Sequence, residues 1–80
     1  MTRFIFLVEE YRPLSTGSVD EVRLHLSAHE SPIEAMKQAK LLAKTGWSAS
    51  WTTSENVIAA FNNSANARIT ITALPISAND

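Results

Sequence analysis

The sequence predicts an α+β fold: a small antiparallel sheet in the element order ββαββ(β), with one main helix, residues 32–45, packed on one face. Three observations carry this expectation. Only Ser31 to Trp47, SPIEAMKQAKLLAKTGW, spaces its apolar residues as a helix does over several turns. The stretches on either side of it alternate apolar and polar residues with the two-residue period of strands. A chain of 80 residues has room for one domain with one modest core.

The first strand is expected over Thr2 to Glu10. Phe4, Phe6 and Val8 point one way and Ile5 and Leu7 the other, so its centre is apolar on both faces. One helix covers only one face of a small sheet. Ile5 and Leu7 are therefore either a candidate interface, with a second element, a partner or a second copy as the cover, or two exposed aliphatics beside long neighbours. Tyr11 to Ser18, YRPLSTGS, reads as a loop punctuated by Pro13 and Gly17. Val19 to Ala28 then alternates, with Val22, Leu24, Leu26 and Ala28 expected on the core face and Glu21, Arg23, His25 and Ser27 on the wet face.

The helix has a capping box at its start. Ser31 suits the N-cap, Pro32 the first helical position, and Glu34 stands three residues after the serine. Gly46 is the expected stop, with Trp47 closing over Leu42. Ala35, Ala39, Ala43, Met36 and Leu42 fall on one face, and the alanines leave it smooth enough to lie close to a sheet. Leu41 falls outside that arc. Lys37, Lys40 and Lys44 gather on another side, with Ile33 among them.

After the helix, Trp47 to Thr53 alternates as a third strand, with Trp51 either in the core or exposed as an interface anchor. Ser54 to Asn63 reads as a short capped helix or a strand, and the strand is favoured because the loop after it would return the chain as a hairpin. In that strand Val57, Ala59 and Phe61 share a face. Ala67 to Leu74 is the last strand, with Ile69 and Ile71 inward, Pro75 as its end, and 76–80 as a frayed tail of the single domain.

Composition narrows the chemistry. The net charge is −1, so no global field favours nucleic acid or an anionic membrane. Cysteine is absent, which removes disulfides and thiolate metal sites and suits a reducing cytoplasm. The run Phe4 to Val8 is too short for a signal peptide or a membrane span. His25 and His29 lack the companions of a zinc site, the serines lack a nucleophile elbow, and the two glycines stand apart. No catalytic residue, metal or cofactor is expected.

The strongest candidate contact is acidic. If the first two strands form a hairpin, Glu9 and Glu10 end beside Asp20 and Glu21, relieved by Arg12 and Arg23. Such a patch either keeps a sheet edge soluble or docks a basic partner. Secondary binding candidates are Lys37, Lys40 and Lys44, which suit an anionic partner, and Ile5, Leu7 and Trp51, which suit an apolar one.

The order FIFLVEEY, VDEVRLHLSA, SPIEAMKQAKLLAKTGW and the Ser/Thr-rich strands after it resembles the small phage-encoded type I anti-CRISPR proteins. The resemblance covers most of the chain and is one of layout, with no shared motif. It implies a non-enzymatic inhibitor that binds a Cas effector subunit in the host cytoplasm and occludes its basic, DNA-contacting surface. A second likeness is to the HicB-type antitoxins, whose small sheet is followed by a helix similar to SPIEAMKQAK; it implies a nucleic-acid-binding or regulatory module. On the first reading the partner is a protein, direct nucleic-acid binding is not expected, and a homodimer through the uncovered sheet face is open.

Overall fold

The computed structural model of the chain describes residues 2–43, 47–50, 56–63 and 66–77. They form an antiparallel sheet of five strands with one helix on one face. The strands are β1 (Thr2–Pro13), β2 (Glu21–His29), β3 (Ser48–Ser50), β4 (Val57–Asn62) and β5 (Arg68–Ser77), and the helix α1 is Pro32–Leu42. The strand order is β2-β1-β5-β4-β3, so the first and last strands lie side by side at the centre. The long β1–β5 ladder runs from Thr2 opposite Ser77 to Tyr11 opposite Arg68. The α1 helix lies over β1, β5 and β2.

Beneath the helix, Val8, Ile69 and Ile71 are wholly excluded from solvent, joined by Ala59 and Phe61 from β4. Burying side chains of this size stabilises the fold by about 1.5–3 kcal/mol each. The alanine seam works as the spacing predicts: Ala35 and Ala39 are fully buried against this core, and Met36, Leu42 and Ala43 pack beside them. Leu41 lies outside the seam and is exposed.

The helix starts where its signals say and stops earlier. Ser31 is extended, and its Oγ accepts the Glu34 amide at 3.1 Å. The Glu34 carboxylate does not complete the box; it lies 3.6 Å from Lys37 Nζ. The helix ends at Leu42 rather than at residue 45, because Ala43 is already extended (φ −79°, ψ 111°). On the far side of that bend, Ala43 and Trp47 pack against the core. Gly46 and the expected glycine stop lie outside the described residues.

Three further expectations are corrected. The first strand continues past Glu10 to Pro13, because Tyr11, Arg12 and Pro13 pair with Arg23, Val22 and Glu21. The last strand does not end at Pro75, which sits opposite Phe4, and it runs on through Ile76 to Ser77 rather than fraying from residue 76. Pro75 is tolerated because the described part of β4 reaches only Thr72, so among the described residues β5 has a ladder partner on one side there. The third strand is described as Ser48–Ser50, with 51–53 outside the described residues. The stretch after it is a strand, as favoured, but an irregularity at Ile58 sets Val57 opposite Thr72 while Ala59 stands opposite Ile71. Val57 therefore leaves the face that Ala59 and Phe61 share.

The fifth correction bears on function. From His25 to His29 the expected faces of β2 are exchanged, whereas before the irregularity at Leu24 Glu21 and Arg23 keep the expected wet face and Val22, opposite Arg12, the helix side. Phe6 stands opposite His29, Val8 opposite Ser27 and Glu10 opposite His25, so His25, Ser27 and His29 take the helix side. Leu24 and Leu26 are half exposed, and Val22 is also exposed. A register slip of one residue turns a whole strand over, and here the register follows from the hairpin loop and from an extra residue, Leu24, between the pairs Glu10–His25 and Tyr11–Arg23.

Candidate functional site

The helix-free face of the sheet is the candidate site. Cross-strand partners share a face, so the ladders place its residues directly. Ile5 stands opposite Leu74, Leu7 opposite both Ala28 and Thr72, Glu9 opposite Leu26, and Arg3 opposite Ile76. The apolar stripe is thus centred on β1 and flanked by β2 and β5. Leu26 is 50% exposed, Ile76 43% and Leu74 37%, and Ile5 and Leu7 are partly exposed. The sequence marks Ile5 and Leu7 on this face. It does not mark Leu26, Leu74 or Ile76, since its reading puts Leu26 in the core, ends the last strand before Pro75 and assigns Ile76 to a tail. The signal for Leu26 was Glu9, whose position on the Ile5/Leu7 face sets the side of whatever pairs with it.

The loop end of the same face is polar and charge-paired. The Tyr11 hydroxyl donates to Glu9 Oε2, and Arg23 donates to the same oxygen at 3.3 Å. Arg68 lies over the Tyr11 ring at 4.4 Å and donates from Nε and an Nη to the two Glu21 oxygens, each at 3.2 Å. This fork is the bidentate arrangement that suits a guanidinium to a carboxylate. The Tyr11 hydroxyl is raised above its ordinary 10.0, first because it donates to Glu9, then through burial and the Glu9 charge, with Arg23 opposing.

The four acidic candidates do not form one patch. Glu9 and Glu21 belong to the helix-free face and are paired with Arg23 and Arg68. Glu10 turns to the opposite face, is 7% exposed, and is held by Arg12 Nε at 3.2 Å. Asp20 is exposed in the loop; its backbone amide donates to Ser18 Oγ and its carbonyl accepts the Leu14 amide. Among the described residues its carboxylate alone of the four is without an ion pair. Alternation separates Glu9 from Glu10, and the arginines neutralise what remains.

The other candidates are dispersed. Lys37 pairs with Glu34 on the exposed side of the helix, and Lys40 is exposed nearby. Lys44 and Trp51 lie outside the described residues. His25 and His29 converge on one hydroxyl, with Nε2 atoms 2.9 and 2.8 Å from Ser27 Oγ. Sequence spacing sets them far apart, and their shared serine is what links them. Among the described residues no group of three or more His, Cys, Asp or Glu side chains could hold a metal ion. An open cleft of about 370 Å³ lies between Arg12, Thr16, Trp47, Asn63 and Asn66 at the loop end. Among the described residues no helix is long and apolar enough to cross a membrane. No protein-family model matches the chain, and no match is found among curated proteins or among solved structures.

Proposed function

We propose that the chain is a non-enzymatic binding protein that acts by protein–protein contact through the helix-free face of its sheet. One observation carries this reading: Leu26, Leu74 and Ile76 stand a third to a half exposed around Ile5 and Leu7 on a face that no described element covers. A contiguous apolar surface rimmed by polar groups is the usual signature of a contact site. In the layout it resembles, the chain is a cytoplasmic, phage-encoded inhibitor, and its target is a type I Cas effector subunit whose DNA binding it blocks.

The paired charges refine the chemistry of that contact. Glu9 and Glu21 meet a target already neutralised by Arg23 and Arg68. Attraction to a basic surface then rests on Asp20, and most of the contact energy comes from apolar burial. The test is a purified type I effector with its guide RNA and a target duplex, assayed by gel shift. Excess chain is expected to abolish DNA binding, and the variant Leu26→Glu/Ile76→Glu, with unchanged circular dichroism, to lose that effect. DNA binding that persists at a large excess of wild-type chain would refute the effector as target.

A further inference from the structure

We infer that the resting occupant of the helix-free face is a second copy of this chain, packed sheet against sheet about a two-fold axis near Ile5 and Leu7. The inference rests on the reading of that face as the contact surface and names what covers it when no target is present.

Self-complementarity is the first argument. A two-fold contact sets one patch against itself, so unpaired charges of one sign would repel across it. Here the face carries two carboxylates and three guanidiniums: Glu9–Arg23 and Glu21–Arg68 close within the chain, and Arg3 stands at the far end, opposite Ile76. The face therefore carries a surplus of only one positive charge. A nucleic acid would need a larger surplus of cations, and a strongly basic protein a surplus of carboxylates. A second copy needs neither. The arrangement also has the order of an interface, with the apolar stripe along the middle of β1 and the charge pairs at one end as a rim.

Size is the second argument. Each strand residue covers about 16 Å² of a face, at about 3.3 Å rise and 4.8 Å spacing, and the five strands hold 12, 9, 3, 6 and 10 residues. The resulting flat footprint of about 600 Å², before side-chain relief is counted, approaches the roughly 800 Å² per partner of a standard interface. Two sheets packed this way lie about 10 Å apart with strands about 30° from alignment, so β1 of each copy crosses β1 of the other.

The absence of cysteine makes the test direct. Light scattering on the eluting wild type is expected to give twice the chain mass of 8.8 kDa. Sheets about 10 Å apart hold facing residues beyond disulfide reach, so the cross-linker is a bismaleimide that spans about 8–10 Å. Single-cysteine variants Ile5→Cys and Leu7→Cys should cross-link with it, while Ile33→Cys, on the exposed side of the helix, should not. Leu26→Glu/Ile76→Glu should elute at monomer mass with its circular dichroism unchanged. A wild type that stays monomeric to about 1 mM, far above the Kd expected of a standard interface, overturns the inference. So does a dimer that cross-links only through Ile33→Cys, or one that survives the two glutamates. If the wild type is monomeric but the same glutamates abolish effector inhibition, only the second copy falls and the contact face stands.

Discussion

Tyr11 is where the polar end of the helix-free face is held together. It donates to Glu9 on its own strand, and its ring lies beneath Arg68 of β5. Because the folded chain holds the phenolic proton above its ordinary 10.0, the phenol stabilises the fold fully below that value. The contribution is lost as pH rises through the raised folded value. Alkaline titration followed by circular dichroism is therefore expected to show stability falling above about pH 10, and Tyr11→Phe to flatten that limb. Ser31 gives a second residue-scale expectation. Its hydroxyl caps the helix at Glu34, so Ser31→Ala should cost about 1 kcal/mol in urea unfolding and Ser31→Gly only a few tenths. Arg12 gives a third. Arg12→Ala leaves the Glu10 carboxylate buried without its charge partner, and the loss should be about 1–2 kcal/mol, partly regained by Arg12→Ala/Glu10→Gln.

The helix and β2 differ in how much of them the sequence discloses, and the difference has a physical cause. Start and seam of the helix depend on neighbours three or four residues away, so Ser31, Pro32, Ala35 and Ala39 declare themselves. Ala39→Leu would force a side chain between helix and sheet where no space remains, and should cost about 1–3 kcal/mol by thermal melting. A merely superficial helix would tolerate it. The facing of β2 is not local. Its alternation says that one side is apolar but not which side meets the helix, and the extra residue Leu24 helps set that. The same holds for the acidic candidates. Glu9, Glu10, Asp20 and Glu21 are close in the hairpin, but their faces and arginine partners follow from pairings such as Glu21 with Arg68, 47 residues apart. For Pro75 the local rule misleads, because its tolerance depends on how far β4 reaches along β5. Trp51 and Lys44, candidates by residue type, lie outside the described residues.

On the scale of the whole molecule, a chain that buries one side of a small sheet under one helix leaves much apolar area wet. Mass action then links stability to concentration. If the second copy covers the face, the melting temperature should rise with each tenfold increase in chain concentration in scanning calorimetry. For Leu26→Glu/Ile76→Glu it should stay constant. Because all charges on the face but Arg3 are paired within each chain, added salt between about 0.05 and 0.5 M should change the dimer fraction little, in contrast to contacts built on opposed charges. A steep fall with salt would show that the charge pairs open and reach across instead.

One consequence of the ladders concerns the order in which the molecule comes apart. The β2 strand joins β1 only from Phe6 onward, and β4 leaves β5 at Thr72. Among the described residues, 2–5 and 74–77 therefore form a two-stranded arm with no strand beside either edge. No described strand shields its backbone bonds, so the arm should open far more often than the centre. Amide hydrogens of Phe4 and Ile5 are expected to exchange orders of magnitude faster than those of Val8, Ile69 and Ile71. Pro75 then acts as a guard on that arm: it offers no amide hydrogen, so one open edge is a poor template for a stray strand at the moment the arm is most exposed.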